Sequence, residues 1–505
     1  MNPLFCTARC VRRLAMALLA IASLIAAVGC GGSSHIGAGM NLGFSKASLN
    51  GHYVFAHTGI GVNQAGTSAD PFSETIVFTA DGNGNLNVTV DDFDQDGTSF
   101  FLSSNIAGTY AINRDGTGLL SFNGSNFPIT MIDDSHFYDI EQDIFATASG
   151  FGEKQDTSAF GTVPSGTFVF KAHNLGTSSR VGSLTVSTGN ISGLEDFLTL
   201  GSSLPPGSPT AITGSFTTAP DGNGRGQFTL SDGTSFAYYV VNSSKFHFLD
   251  FSNAGATLEI GLAEKQTGGP FSNATLAANA SYVFGSSGDT TANTVAIHSA
   301  GVFTSDGNAN ITAGTLDFVQ DGAVNGMASV QAGSTYSLAP DGRGVLNLVL
   351  SNGLNNQKVF WLVNPTRAYL LVNTSGAIED GTFSQQQGAP FSNSSWSNQS
   401  AFFMDGFDLA FKDRVGVINP NNGSFGWIQQ AESFDVIQGG LGSGLSTTGT
   451  YQVSANGRVV VTVNGLLNPG NSNMVFYLIS NSSGFMVQED QGFDIGGAFT
   501  QQTGP

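Results

Sequence analysis

Short runs of alternating apolar and polar residues dominate this chain. Glu74-Thr75-Ile76-Val77-Phe78, Leu86-Asn87-Val88-Thr89-Val90 and Val459-Val460-Val461-Thr462-Val463 are brief and rich in β-branched residues, and Asp-Gly or Asn-Gly pairs punctuate such runs. Those pairs supply the positive φ that tight hairpin turns require, so the pattern predicts antiparallel strands in hairpin order. No helical stretch is long enough to serve as a crossover between parallel strands.

The pattern also repeats. Gly51-His52-Tyr53-Val54-Phe55 is matched by Gly166-Thr167-Phe168-Val169-Phe170, Ala280-Ser281-Tyr282-Val283-Phe284 and Ser400-Ala401-Phe402-Phe403-Met404, with aromatic starts 115, 114 and 120 residues apart. Midway come Gly108-Thr109-Tyr110, Gly214-Ser215-Phe216, Gly333-Ser334-Thr335-Tyr336 and Gly449-Thr450-Tyr451. Units close on Glu153-Lys154-Gln155, Glu264-Lys265-Gln266, Gln385-Gln386-Gln387 and Gln501-Gln502. The chain therefore reads as all-β, with four tandem antiparallel domains of about eight strands at 48–160, 161–275, 276–393 and 394–505. An eight-stranded meander removes its edges by closing into an up-and-down β-barrel with a Phe-rich interior; a β-sandwich is the alternative. A unit of about 115 residues suffices for a core, so each is expected to fold alone.

Gly51-His52-Tyr53 and Gly166-Thr167-Phe168 resemble the Gly-X-Trp opening of lipocalin-type barrels, with Lys154 and Lys265 nearest to the Arg that stacks on that aromatic. The resemblance implies a barrel rather than a sandwich. As a whole, the repeat is similar to the tandem β-domains of uncharacterised bacterial lipoproteins, which implies no activity.

The N-terminus has a different character. Arg9, Arg12 and Arg13 precede an apolar run from Leu14 to Val28 that is short for a bilayer span. Ala27-Val28-Gly29-Cys30 resembles the lipobox of bacterial lipoproteins, which implies removal of residues 1–29 as a signal and acylation of Cys30. Residues 30–47, with Gly31-Gly32-Ser33-Ser34, then form a flexible tether. The resemblance implies anchorage in the cell envelope, and the lack of Asp after Cys30 favours the outer membrane, on its periplasmic or surface face. Ala27 stands where the lipobox usually has Leu, so an ordinary secretory signal is the alternative.

Composition narrows the function. Cys6, Cys10 and Cys30 are the only cysteines, so the processed chain has no disulfide and no thiolate metal site. The net charge of −20 becomes −23 once three signal arginines leave, which repels nucleic acid. With 11% charged residues, the surface is mostly Ser, Thr, Asn, Gln and Gly.

Candidate chemistry is sparse. Asp91-Asp92-Phe93-Asp94-Gln95-Asp96-Gly97 begins like a calcium loop, but its twelfth position from Asp92 is Ser103 and strands flank it. The extra carboxylates are confined to the first copy, so a polar turn is the preferred reading. Asp81-Gly82-Asn83-Gly84-Asn85 reads as a hairpin. The seven histidines, His35, His52, His57, His136, His173, His247 and His298, neither recur nor show a metal-ligand spacing, and His52 and His57 point to opposite strand faces. They read as surface or barrel-mouth residues. The pairs Asp133-Asp134 and Glu195-Asp196 diverge along a strand, which disfavours a glycosidase. The sequence thus supports no catalytic, cofactor or metal residue; Cys30 is its one candidate site. It favours a non-catalytic binding protein whose four modules add avidity for a glycan or apolar ligand, with Trp361, Trp396 and Trp427 either stacking on it or filling cores. A structural envelope spacer is the alternative, and the oligomeric state is open.

Overall fold

A computed structural model describes residues 42–62, 69–95, 98–102, 105–142, 146–204, 208–252, 258–290, 296–373, 376–407, 411–434, 440–442, 444–467 and 470–504. Residues 1–29, expected to be a signal, and Cys30, His35, Asp96 and Gly97 lie outside them. The fold is all-β, built from four antiparallel eight-stranded units, three of them closed barrels and one a half-barrel. In the first, Asn50–Val62 pairs with both Ala69–Asp81 and Ala146–Lys154, and Ala69–Asp81 pairs with Asn85–Gln95 to complete the circuit. The second closes where Gly166–Asn174 meets Ile260–Lys265. In the third, isolated bridges such as Asn310 to Thr335 stand in for a full ladder. The fourth begins at Ser400–Phe407, which pairs with Asp494–Gln501. Its opening aromatic is displaced by two residues from the sequence alignment: Ser400, not Phe402, faces Gln501 as Tyr53 faces Lys154.

Alternation puts one set of side chains inside each barrel, and these interiors are packed rather than hollow. Tyr53, Phe55, Phe78, Phe127 and Phe137 fill the first, while Trp396, Phe402, Trp427, Phe476 and Phe499 fill the fourth. Lys154 lies 5.9 Å from the Tyr53 ring, the contact anticipated from the opening motif. The mid-unit tyrosines hold the segment that covers one barrel end. Tyr110 donates to the carbonyls of Lys46 and Leu49, Tyr336 to that of Asn273, and Tyr451 to those of Asn393 and Trp396.

The outer faces are apolar as well, and each covers the next. Val54, Val77 and Val90 pack on Ala237, Tyr239 and Val241 of the second barrel. Val169, Val181 and Leu198 pack on Trp361, Tyr369 and Leu371 of the third. Val283, Val302 and Val319 pack on Val475, Tyr477 and Val487 of the fourth. The fourth then returns to the first, where Ala401, Val415 and Ala431 meet Ile132, Tyr138 and Ile140. The four barrels form a closed ring.

One device recurs at all four junctions. The glutamine that closes each unit inserts its amide into the following barrel. Gln155 donates to the carbonyls of Val240 and Asn223, Gln266 to Leu362 and Asp341, Gln386 to Leu478 and Asn456. Gln502 completes the circuit by donating to Met131 and Asp115 of the first barrel, at 2.7 and 2.9 Å.

A second device occurs at three junctions. Asp92 accepts from Arg225 at 2.5 Å and from Tyr239; Asp196 accepts from Arg343 at 2.7 Å and Trp361 at 2.9 Å; Asp317 accepts from Arg458 at 2.8 Å and from Tyr477. Asp92, Asp196 and Asp317 are therefore not turn residues: each sits mid-strand and ties one barrel to the next. At the fourth junction all three members change together. Strand register places Ala431, Thr117 and Thr130 where the others have Asp, Arg and an aromatic. Two neutral hydrogen bonds take over there: the Gly118 N–H donates to Gln430 Oε1, and Gln430 Nε2 donates to the Gly118 carbonyl.

Removing one partner of a buried ion pair strands the other charge, so Arg343→Met should cost about 3 kcal/mol and lower the melting temperature, while Arg114→Met in an exposed turn should not. Residues 276–393 expressed alone would bare Trp361, Tyr369 and Leu371 on one side and Val283, Val302 and Val319 on the other. Size-exclusion chromatography should find this fragment self-associated, and a cooperatively melting monomer would mean the junctions contribute little.

Candidate functional site

The first and last strands of every barrel face the ring axis, because the neighbouring strands on either side are used in junctions. Equivalent outward positions on the first strands are Ala56, Lys171, Gly285 and Phe403, then Thr58, His173, Ser287 and Asp405. They border a central cavity of about 710 Å³ to which all four barrels contribute. Small residues on the axis leave the room: Gly150, Gly261, Gly381 and Gly497 lie on the last strands.

Five of the seven histidines border this cavity. His136, His173, His247 and His298 are at its wall, and His57 lies behind the wall inside the first barrel. Non-recurrence in the sequence was no guide here, since the ring rotates inequivalent positions toward a single axis. His52 contacts Phe160 edge-on instead.

The cations at the wall are engaged across junctions. Glu153 of the first barrel accepts from Lys245 at 2.8 Å and His247 at 2.9 Å of the second. Burial opposes its charge, but those two partners outweigh it and hold the carboxyl down at about 2. Arg367 reaches Glu264 at 2.5 Å, and Lys171 reaches Asp380 at 2.9 Å. Burial pushes the His298 imidazole down to about 3 and lowers His173. Three carboxylates differ. Asp289, Asp405 and Asp413 make no ion pair with Lys, Arg or His among the described residues. Burial lifts Asp405 to about 7, helped by the neighbouring Asp413, and lifts Asp413 and Asp289 to about 6.

Other candidates from the sequence fall elsewhere. Asp92 is a junction residue, Asp91 and Asp94 are buried in the same strand, and Asp81 organises an exposed turn through Asn83 and Asn85. Asp133 bonds His136 at 2.9 Å. Glu195 points into the second barrel toward Arg180 while Asp196 points out to Arg343, so adjacent carboxylates do diverge. Trp361, Trp396 and Trp427 are all fully buried, which removes them as stacking platforms. The acids at the axis were missed because nothing local marks them.

Asp405 yields a pH test. A carboxyl whose folded pKa lies above its ordinary value stabilises the fold below the ordinary value, and that contribution is lost as pH rises through the folded pKa. Asp405→Asn should therefore gain steadily on the wild type as pH rises from 4 to 7, and at pH 8 its advantage in melting temperature should exceed that at pH 5 by about 2 °C. His298 works oppositely, losing its contribution as pH falls below its ordinary range, so the variant-minus-wild-type difference is the quantity to read.

No protein-family model matches the chain, and no curated protein matches it. Among solved structures it is similar to intact Ap-TbpB (N and C lobes), at 8% identity and a TM-score of 0.17 over 67% of this chain and 77% of that one. It is also similar to a double mutant of the vaccine antigen Transferrin Binding Protein B from Haemophilus parasuis Hp5, at 8% identity and a TM-score of 0.13 over 89% and 75%. Likeness at this level carries no argument about what this chain does.

Proposed function

We propose that this chain is a non-catalytic, lipid-anchored binding protein of the cell envelope, and that the ring presents one ligand site rather than four. The supporting observation is the central cavity of about 710 Å³, walled by every barrel and large enough for a small molecule. Its carboxylates Asp289, Asp405 and Asp413, which have no Lys, Arg or His ion-pair partner among the described residues, suit a small amine-bearing ligand. Among the described residues the barrel interiors are packed with side chains, which disfavours an apolar ligand inside a single barrel, and Trp361, Trp396 and Trp427 are buried away from the cavity. A spacer would gain from units laid end to end, whereas here the last barrel covers the first.

Attachment through Cys30 fits the same geometry. Gly504 lies against the backbone of Leu42, so the first described residue of the chain sits beside its last at the closing junction. The cavity reading is tested by titrating putrescine and cadaverine, with glucose as the uncharged control, into the wild type and Ser287→Trp, which narrows the cavity. One equivalent of a diamine should bind the wild type and at least tenfold less tightly to the variant. Equal binding to both, or none to either, would remove the cavity as a ligand site.

A further inference from the structure

The polar ends of the four barrel interiors differ in one respect. In the second barrel Arg180 neutralises Glu259 at 2.5 Å and Glu195 at 3.2 Å. In the third, Lys358 is buried with Glu379, over the Phe284 ring at 4.7 Å. In the fourth, Arg414 bonds Glu432 at 3.2 Å and Gln488 at 2.8 Å. The first barrel carries Glu74 at the register position of Arg180 and Arg414, and Glu141 at that of Gln488. Glu74, Asp91, Asp139, Glu141 and His57 are all buried there. The only Lys or Arg residues between 48 and 160 are Arg114, in an exposed turn, and Lys154, on the Tyr53 ring at the opposite end. Neither 63–68, 96–97, 103–104 nor 143–145 contains one. Burying four carboxylates at a barrel end whose own strands bring no Lys or Arg is costly in charge unless a cation joins them.

The side chains converge as ligands would. One donor atom each from His57, Glu74 and Glu141 lies within 4.8 Å of the others. Nε2 of His57 faces Glu74 at 3.0 Å, while Nδ1 faces Asp139 at 3.1 Å. A carboxylate on Nδ1 fixes the tautomer and turns the Nε2 lone pair toward the two glutamates, the usual arrangement behind a metal-bound histidine. The other Asp139 oxygen, Oδ1, is buried with no hydrogen-bond partner. Phe127 stacks on the imidazole at 5.8 Å and Phe72 meets it edge-on at 6.0 Å, giving an apolar sleeve.

We infer that the first barrel holds a structural divalent transition-metal ion on His57, Glu74 and Glu141, oriented by Asp139, which does inside this barrel what Arg or Lys does inside the other three. One imidazole and two carboxylates with no thiolate suit zinc or manganese, whereas calcium and magnesium prefer all-oxygen sites.

The test uses residues 30–505, stripped with EDTA and dialysed, then titrated with Zn²⁺ or Mn²⁺ and assayed by calorimetry, metal analysis and melting. The wild type should take up one ion per chain and melt higher with it, and a tenfold excess of Ca²⁺ or Mg²⁺ should not compete. Glu141→Gln should weaken binding at least tenfold. Glu74→Arg, which installs the residue of the second and fourth barrels, should fold without metal, bind none at this site and melt independently of it. A wild type that takes up no stoichiometric ion, or a Glu74→Arg protein that binds as tightly as wild type, overturns the inference. Neither result bears on the central cavity, which Glu74 does not line.

Discussion

Each barrel in this chain is apolar on its outside as well as its inside, and that constraint organises everything else. An isolated up-and-down barrel alternates apolar inward with polar outward positions. Here Val54, Val169 and Val283 are fully buried on the outer faces of three first strands. A row of such units would leave one face of the first and one of the last in water. A ring leaves none. The terminal glutamines make the same point in hydrogen bonds, since Gln502 finds in the first barrel the two carbonyls that Gln155, Gln266 and Gln386 find in their successors.

The junctions are alike in hydrophobic contact but not in charge. Three carry a buried aspartate held by an arginine and the polar atom of an aromatic ring; the closing one has Ala431, Thr117 and Thr130. A buried ion pair is specific because each half is costly without the other, so it forbids the wrong pairing of similar barrels. The closing junction forms between segments far apart in the chain, and loss of all three members leaves no stranded charge. Its neutral substitute is the pair of hydrogen bonds between Gln430 and Gly118, so pairing there is directed by shape and hydrogen bonding rather than by charge.

Charge is also what separates the repeats inside. Every interior has a polar end, and in three barrels Arg180, Lys358 or Arg414 stands among the acids. The first barrel brings a histidine and four buried carboxylates to that end, and no Lys or Arg of its own. Likewise, the cavity wall spends its cations on junction pairs, as Lys245 on Glu153 and Arg367 on Glu264, leaving Asp289, Asp405 and Asp413 to hold raised pKa values through burial. Both features follow from copies that kept the backbone while their polar positions diverged.

Local pattern determined the strands, the hairpin order, the fourfold repeat and the barrel, because alternation and Asp-Gly turns act over a few residues. It also marked the closing glutamines and mid-unit tyrosines without their purpose, which lies across a junction or under a barrel end. The sequence did carry one sign of the ring: Phe236-Ala237-Tyr238-Tyr239-Val240-Val241 and Val359-Phe360-Trp361-Leu362-Val363 are unbroken apolar runs, as expected of strands buried on both faces. What no local pattern could settle is which outer face meets which, or that His136, His173, His247 and His298 share one wall. Those positions are inequivalent in the repeat, and only closure of the ring turns them toward the same axis. The same holds for His57, Glu74 and Glu141: they sit on three strands, 17 and 67 residues apart in sequence, and only barrel closure sets them facing one another.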